Sequence, residues 1–190
     1  MADKEIDPLK DYKGFFEEFQ NENPRGAVIL AGAFFDAQLR ELLSKFFIDE
    51  KKEVDELLGS EEKSDRPLSS FGSRIRAAYC LGLISRMEYD DLKMIQKIRN
   101  KFAHKMHGYS FNDPKIVSWC QELKLARMIG NIDNSTYKLP TSHENLFVIS
   151  VTMLAMWLAM KTLRVEKERR SVPPDTKIGR LLREEEEQKT

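Results

Sequence analysis

Apolar residues recur with the period of an α-helix along almost the whole chain, and no stretch alternates in the way of a half-buried strand. Prolines and glycines divide this pattern into separate segments. The sequence therefore predicts an all-α, single-domain helical bundle of about six to seven helices. The predicted helices cover 7–22, 24–47, 50–58, a segment beginning near 68, 85–105, 113–128 and 144–168.

The segments 24–47 and 85–105 carry the clearest helical signals. In the first, three apolar residues recur every seven positions, which keeps one seam toward a neighbouring helix: Val28, Phe35 and Leu42. Gly32 lies on the same seam and would let two backbones approach closely. In the second, Ser85 and Glu88 have the spacing of a capping box, a strong start signal for a helix. We expect these two helices to form the centre of the bundle.

Length and charge bound the class of protein. The chain has 190 residues, enough for one domain with its own core, and its 31 lysines and arginines equal its 31 aspartates and glutamates. A domain that neutralises many phosphates usually carries a basic excess, so the balance disfavours specific DNA binding by the protein alone. We assign residues 1–170 to the helical bundle. Residues 171–190, with a double proline and the acidic run 184–187, are expected to form a flexible charged tail.

The cysteines and the chain's apolar runs indicate where the protein works. Cys80 and Cys120 have no second cysteine or histidine at ligand spacing, so both are predicted to be buried free thiols. Residues 1–10 are polar and hold no apolar signal region. The longest apolar run, 146–160, is shorter than the roughly 20 residues of a spanning helix. We therefore expect a cytoplasmic protein without a membrane segment.

The helix that starts at Glu88 separates into an apolar face and a basic face. The apolar face holds Leu92, Ile95, Ile98, Phe102 and Met106. On the opposite side, lysines recur every four residues as a ladder: Lys93, Lys97, Lys101 and Lys105. A ladder of this kind is most simply a solvated surface. The alternative is a contact with phosphate or with an acidic partner.

Arg99 lies close to the middle of that apolar face, where a guanidinium needs a partner for its charge. Asp36 borders the apolar seam of the 24–47 helix, so the pair Asp36–Arg99 is predicted to be structural. Glu41 and Asp11 are alternative partners. Arg99 would otherwise extend along its alkyl stem to the surface.

Asn100 and His104 share a helical face one turn apart, immediately after Arg99. This set has the chemistry of a metal-independent RNase, because an arginine stabilises developing phosphate charge and a histidine moves a proton. The alternative is a structural arginine beside a surface histidine. His104 and His107 have no third ligand nearby, so no metal site is predicted. No phosphate loop or nucleophile elbow occurs, and we expect no cofactor.

One stretch resembles a known family. Residues 67–92 read PLSSFGSRIRAAYCLGLISRMEYDDL and, with their continuation through Arg99, Asn100 and His104, are similar to the mannitol operon repressor family. The resemblance covers about 20–125 well and the last helix by hydrophobic pattern. It implies an all-helical fold and repression of a mannitol uptake operon through other proteins, without a DNA-binding module of its own. In that family an acidic residue also occupies the place of Asp36.

At Arg99, Asn100 and His104 the chain is also similar to the wider HEPN superfamily, which includes metal-independent RNases of toxin and defence systems. There, the arginine and histidine of two protomers meet across a dimer interface. Asn100 is the polar residue that this superfamily favours after its arginine, whereas mannitol repressors carry an acidic residue there. This departure from the repressor pattern keeps the RNase alternative open.

The sequence thus leaves three readings of function. The first is a cytoplasmic, homodimeric transcriptional repressor of a mannitol or polyol operon, whose partner is another regulatory protein or a transcription factor. The second is a HEPN-type RNase. The third is a binding module in which Arg99 is purely structural.

Overall fold

The computed structural model describes residues 8–59, 65–104, 110–130 and 142–174, and all the regular structure in these ranges is helical. The prediction of an all-α bundle is confirmed, with one helix more than expected. The elements are α1 (Pro8–Asn21), α2 (Pro24–Phe46), α3 (Lys51–Leu58), α4 (Phe71–Cys80), α5 (Arg86–His104), α6 (Pro114–Gln121), α7 (Lys124–Gly130) and α8 (His143–Val165), followed by a 3-10 turn (Glu166–Glu168).

Helix α2 lies at the centre of the bundle and packs against α8, α5 and α4. Its seam is fully buried, and so is the apolar face of α5, which includes Leu92, Ile95 and Ile98. The central position predicted for α2 and α5 is confirmed. Helix α8 is a third central helix, and its contribution to the core is Phe147, Val151, Leu154, Ala155 and Leu158.

The helix predicted over 113–128 is broken into α6 and α7 at Glu122–Leu123. The cause is Asp91 of α5, a buried carboxylate whose two oxygens accept from the backbone N–H groups of Lys124 (2.8 Å) and Leu125 (2.9 Å). Asp91 therefore acts as the cap of α7 although it lies on another helix. Burial raises the pKa of this carboxyl, and the two backbone hydrogen bonds only partly offset that effect.

Serine side chains cap α4, α5 and α8 at their N-termini, and that of Ser142 accepts from the Asn145 backbone N–H (3.2 Å). The Ser85 side chain accepts from the Glu88 backbone N–H (3.3 Å), and the Glu88 carboxylate accepts from the Ser85 backbone N–H, so the predicted capping box is confirmed. A second capping box, between Ser70 and Ser73, begins α4. Both serines are short polar residues that hydrogen-bond to nearby backbone, so the sequence carried a signal for this cap as well.

The two cysteines have different environments. Cys120 is buried, as predicted, and burial raises the pKa of its thiol to about 12. Cys80 is exposed, so the prediction of a buried thiol there is wrong. Cys80 is the last residue of α4, and its side chain points away from the face that carries Ile75 and Ala78 into the core.

Helix α8 and its 3-10 turn form a helical segment of 26 residues (His143–Glu168), the one segment of the described ranges that is long and apolar enough to cross a membrane. The most apolar window has a mean hydropathy of 1.8, and 44% of it is buried in the fold. The expectation that this segment is too short to span is therefore wrong. Core helices of soluble proteins have the same composition. Of the predicted tail, residues 175–190 lie outside the described ranges.

Candidate functional site

An open groove with a volume of about 660 Å³ lies on the outer face of α5, beside the corner between α6 and α7. It exists because α5 is amphipathic and directs its apolar face into the core, which leaves its polar face outward. The side chains lining the groove are Tyr89, Asp90, Lys93, Met94, Gln96, Lys97, Asn100, Glu122 and Lys124. We call this feature the α5 groove.

The lysine ladder is held in place by specific contacts and is not a uniform solvated surface. Lys93 Nζ donates to Gln96 Oε1 at 2.8 Å. Lys97 Nζ lies 4.2 Å from the centre of the Trp119 ring, a cation–π contact that joins α5 to α6. Lys101 is half-buried and does not line the groove, and Lys105 lies outside the described ranges. Of the three predicted lysines that the structure describes, Lys93 and Lys97 therefore belong to the groove.

An ordered charge network borders one end of the α5 groove. Asp90 accepts from Arg86 Nε (3.0 Å) and from Lys124 Nζ (2.6 Å). The Arg86 guanidinium also lies over the rings of Tyr79 and Tyr89, at 5.9 and 5.7 Å. Burial alone would raise the pKa of Asp90, but the hydrogen bonds from Lys124 and Arg86 outweigh it and lower that pKa. The hydrogen bond to Asp90 raises the pKa of Arg86.

The partner of Asp36 is Arg74 of α4, which corrects the predicted pair Asp36–Arg99. Arg74 Nη1 lies 2.6 Å from Asp36 Oδ1. The same buried guanidinium donates through Nη2 to the Leu58 carbonyl oxygen and through Nε to the Leu68 carbonyl oxygen, both at 2.9 Å. Arg74 thereby ties α4 to α2, to the end of α3 and to the loop before α4.

Arg99 was predicted to pair with Asp36, but its guanidinium contacts Asn100 instead. Its Nη1 donates to Asn100 Oδ1 at 3.1 Å, while its Nε is buried and has no hydrogen-bond partner in the described part of the chain. The stem of Arg99 fills the space above Gly32, where an added Cβ would lie 2.7 Å from Arg99 Cγ. Gly32 therefore makes room for a side chain and not, as expected, for a second backbone.

Of the two alternative partners of Arg99, Glu41 does not take that role among the described residues. Glu41 pairs with Lys45 within α2, at 3.3 Å. The side chain of Asp11 lies outside the described set.

The three residues of the RNase alternative are only partly brought together. Arg99 and Asn100 contact each other, and His104 is the exposed last residue of α5. His107 lies outside the described ranges, and the described residues hold no cluster of metal-ligating side chains. The RNase alternative stays a prediction.

Sequence reasoning missed Arg74 although a signal for it was present. Arg74 follows Phe71 by three residues and precedes Ala78 by four, so it lies on the apolar face of α4 just as Arg99 lies on that of α5. Trp119 carried no comparable signal, because its contact with Lys97 depends on how α6 is placed against α5.

The chain is similar in sequence to known repressors. The sequence model of a family described as mannitol repressor matches residues 15–172. The mannitol operon repressor of Escherichia coli K12 is 34% identical over 59 residues, which are 31% of this chain and 30% of that protein. The mannitol operon repressor of Escherichia coli O6:H1 gives the same figures. The match to these curated relatives thus spans less than a third of their length.

Two solved structures share the fold. The X-ray structure of the MtlR-HPr complex from Escherichia coli contains a chain that matches with a TM-score of 0.61 and 20% identity, over 80% of this chain and 99% of that one. A possible transcriptional regulator, YggD from Shigella flexneri 2a, matches with a TM-score of 0.56 and 13% identity, over 80% and 97% of the two chains. At these identities the likeness shows the helical fold alone.

Proposed function

Because this chain belongs to the mannitol repressor family, we propose that it lowers transcription of a mannitol or related polyol uptake operon by binding another protein. The partner would be a small regulatory protein or a transcription factor. The similar chain from Escherichia coli was solved in complex with HPr, which makes HPr the first partner to test. We further propose that the protein acts in the cytoplasm, as a homodimer and without specific DNA binding of its own.

The α5 groove is the observation that carries the partner-binding proposal. It combines apolar and aromatic groups with cations held in fixed positions: Met94, Tyr89, Lys97 above Trp119, and Lys93. Aromatic anchors beside ordered charges are the surface features that give protein interfaces their affinity and orientation. Three lysines against Asp90 and Glu122 leave the groove with a small excess of positive charge, which suits an acidic patch on the partner.

We expect Lys97→Glu to weaken partner binding about 10-fold, because it replaces a fixed cation in the middle of the groove with an anion. Isothermal titration calorimetry of the full chain with purified HPr would measure the Kd. Lys52→Glu is the matched control, since it makes the same charge change at an exposed lysine of α3, away from the groove. Equal Kd values for both variants would contradict a role of the α5 groove in HPr binding.

We expect the purified protein not to shift operator DNA specifically. Its lysines and arginines are balanced by acids, and several cations on the described surface are already engaged with acids or rings. Gel shifts at about 150 mM salt, where unspecific attraction to phosphates is weakened, are the measurement. A nanomolar, sequence-specific shift by the protein alone would overturn repression through a partner.

A further inference from the structure

Helix α8 is apolar on its outward side as well as on its core side. Its outward apolar residues are Leu146, Ile149, Met153, Met156, Met160 and Leu163, which we call the outer stripe. Met156, Met160 and Leu163 are 55%, 48% and 54% exposed, and the other three are half-buried. Apolar surface arranged as a continuous line is typical of an interaction site, whereas isolated exposed apolar residues are not.

The spacing of the outer stripe is that of a helix–helix seam. Successive members are three, four, three, four and three residues apart, which is the a/d pattern of a heptad repeat. This pattern keeps a single face toward one partner helix over the whole length of the stripe, about 25 Å at 1.5 Å per residue. The surface therefore fits another helix.

We infer that the outer stripe of α8 is covered by α8 of a second copy of this chain, running antiparallel. The stripe maps onto itself when the helix is reversed. Position 146 then faces 163, 149 faces 160, and 153 faces 156, so every apolar residue meets an apolar residue. This inference rests on the proposed homodimer and names the surface that forms it.

The cations near the C-terminal end of α8 favour the antiparallel direction. Glu144 lies in the first turn, while Lys161 and Arg164 lie near the C-terminal end. Glu144 shares the side of Phe147 and Val151 and makes no contact across the stripe, so the cations decide the direction: antiparallel pairing keeps Lys161 and Arg164 of the two subunits at opposite ends of the seam. Parallel pairing would instead set each cation beside its own copy. Arg164 is exposed, and the described residues include no acid paired with it.

A notch beside the stripe gives a second reason for a protein partner. Its volume is about 360 Å³, and it is lined by Ser85, Glu88, Trp157, Met160, Lys161 and Arg164. Glu88 is almost fully buried. Its Oε2 accepts from the Ser85 backbone N–H and lies 3.3 Å from Lys161 Nζ. Its Oε1 has no hydrogen-bond partner among the described residues. A buried acceptor of this kind needs a donor. In the antiparallel register, Asn145 of the partner subunit, an amide donor, comes beside this notch.

The oligomeric state tests the surface. The full chain should have the mass of two chains by sedimentation equilibrium, and Met160→Lys should shift the dissociation constant by about 100-fold toward the monomer, because it places a charge on an apolar residue that the second copy covers. Met128→Lys is the matched control, because Met128 is similarly exposed (46%) but lies on α7. If Met160→Lys remains dimeric with an unchanged dissociation constant, the outer stripe is not the dimer interface, although the protein is still a homodimer. If the wild type is a monomer, both the interface and the proposed homodimer are wrong.

Disulfide trapping tests the direction. In a Cys80→Ser background, chains carrying Leu146→Cys are mixed with chains carrying Leu163→Cys and oxidised. Antiparallel pairing predicts disulfides between the two kinds of chain, and little cross-linking of Leu163→Cys with itself. The reverse result would overturn the register. A monomeric wild type that binds HPr or lipid vesicles through the stripe, with binding lost in Met160→Lys, would show a different occupant and overturn the inference. The Kd of Lys97→Glu for HPr is a separate readout, so the partner-binding proposal is judged independently.

Discussion

Arg74→Ala is expected to destabilise the fold by about 2–4 kcal/mol, somewhat less than the loss of one member of a fully buried ion pair, because Arg74 is buried but the side chain of Asp36 is 32% exposed. The substitution leaves the Asp36 carboxylate without its cation. It also removes the donors to the carbonyl oxygens of Leu58 and Leu68, so three parts of the bundle lose their common tie. Urea unfolding of the full chain, followed by circular dichroism, would give the free energy of unfolding.

A double-mutant cycle separates the ion pair from the other contacts of Arg74. If the pair is real, Asp36→Ala and Arg74→Ala together should cost less than the sum of the two single changes by at least about 1 kcal/mol. Arg99→Ala is the matched control on α5. Among the described residues, the guanidinium of Arg99 donates to its sequence neighbour Asn100, so its loss should cost less than that of Arg74. A larger cost for Arg99→Ala, or additive effects in the cycle, would contradict this assignment of partners.

The helices were predictable from the sequence because their causes are local. The seam of α2, the apolar face of α5 and the capping box of Ser85 and Glu88 are all patterns within a few turns of one helix. The break between α6 and α7 was not predictable in this way. Its cause is Asp91, which lies 33 residues before the N–H group of Lys124 that it accepts from.

The ion-pair partner of Asp36 also could not be predicted from the sequence. Periodicity places both Arg74 and Arg99 on apolar faces, and it therefore indicates that each arginine needs an unusual environment. It does not say which arginine reaches Asp36, because that depends on how α4 and α5 are placed against α2. In the structure, Asp36 forms its ion pair with Arg74, and the alkyl stem of Arg99 packs against Gly32.

The sequence predicted the basic face of α5, but it did not predict that this face forms one side of a groove. The four-residue spacing of Lys93 and Lys97 correctly placed them together on the outer side of α5. The rest of the lining includes Glu122 and Lys124, whose positions follow from the break that Asp91 imposes, and Trp119 of α6 lies against Lys97. A long-range contact thus shapes the surface on which the proposed function depends.

Asp91→Ala is expected to destabilise the fold by about 2–4 kcal/mol, because two backbone N–H groups at the start of α7 lose their acceptor and one of them, that of Leu125, is buried. Asp90→Ala is the matched control on the neighbouring residue. Asp90 forms its ion pairs near the surface, where such pairs contribute about 0–1 kcal/mol. Equal losses for the two variants would contradict the capping role of Asp91.

The free energy of unfolding that is lost in Asp91→Ala should depend on pH, and the pKa of Asp91 determines in which direction. Burial raises the pKa of Asp91 in the folded state above its value in the unfolded chain, so the folded protein holds that proton more tightly. The stability that Asp91 contributes is then fully present below the unfolded pKa and declines as pH rises through the folded pKa. The difference in unfolding free energy between the wild type and Asp91→Ala should therefore be larger in acid than at neutral pH. Urea unfolding of both proteins across that range measures it, and a difference that grows toward neutral pH would mean that the two backbone hydrogen bonds outweigh burial at this carboxylate.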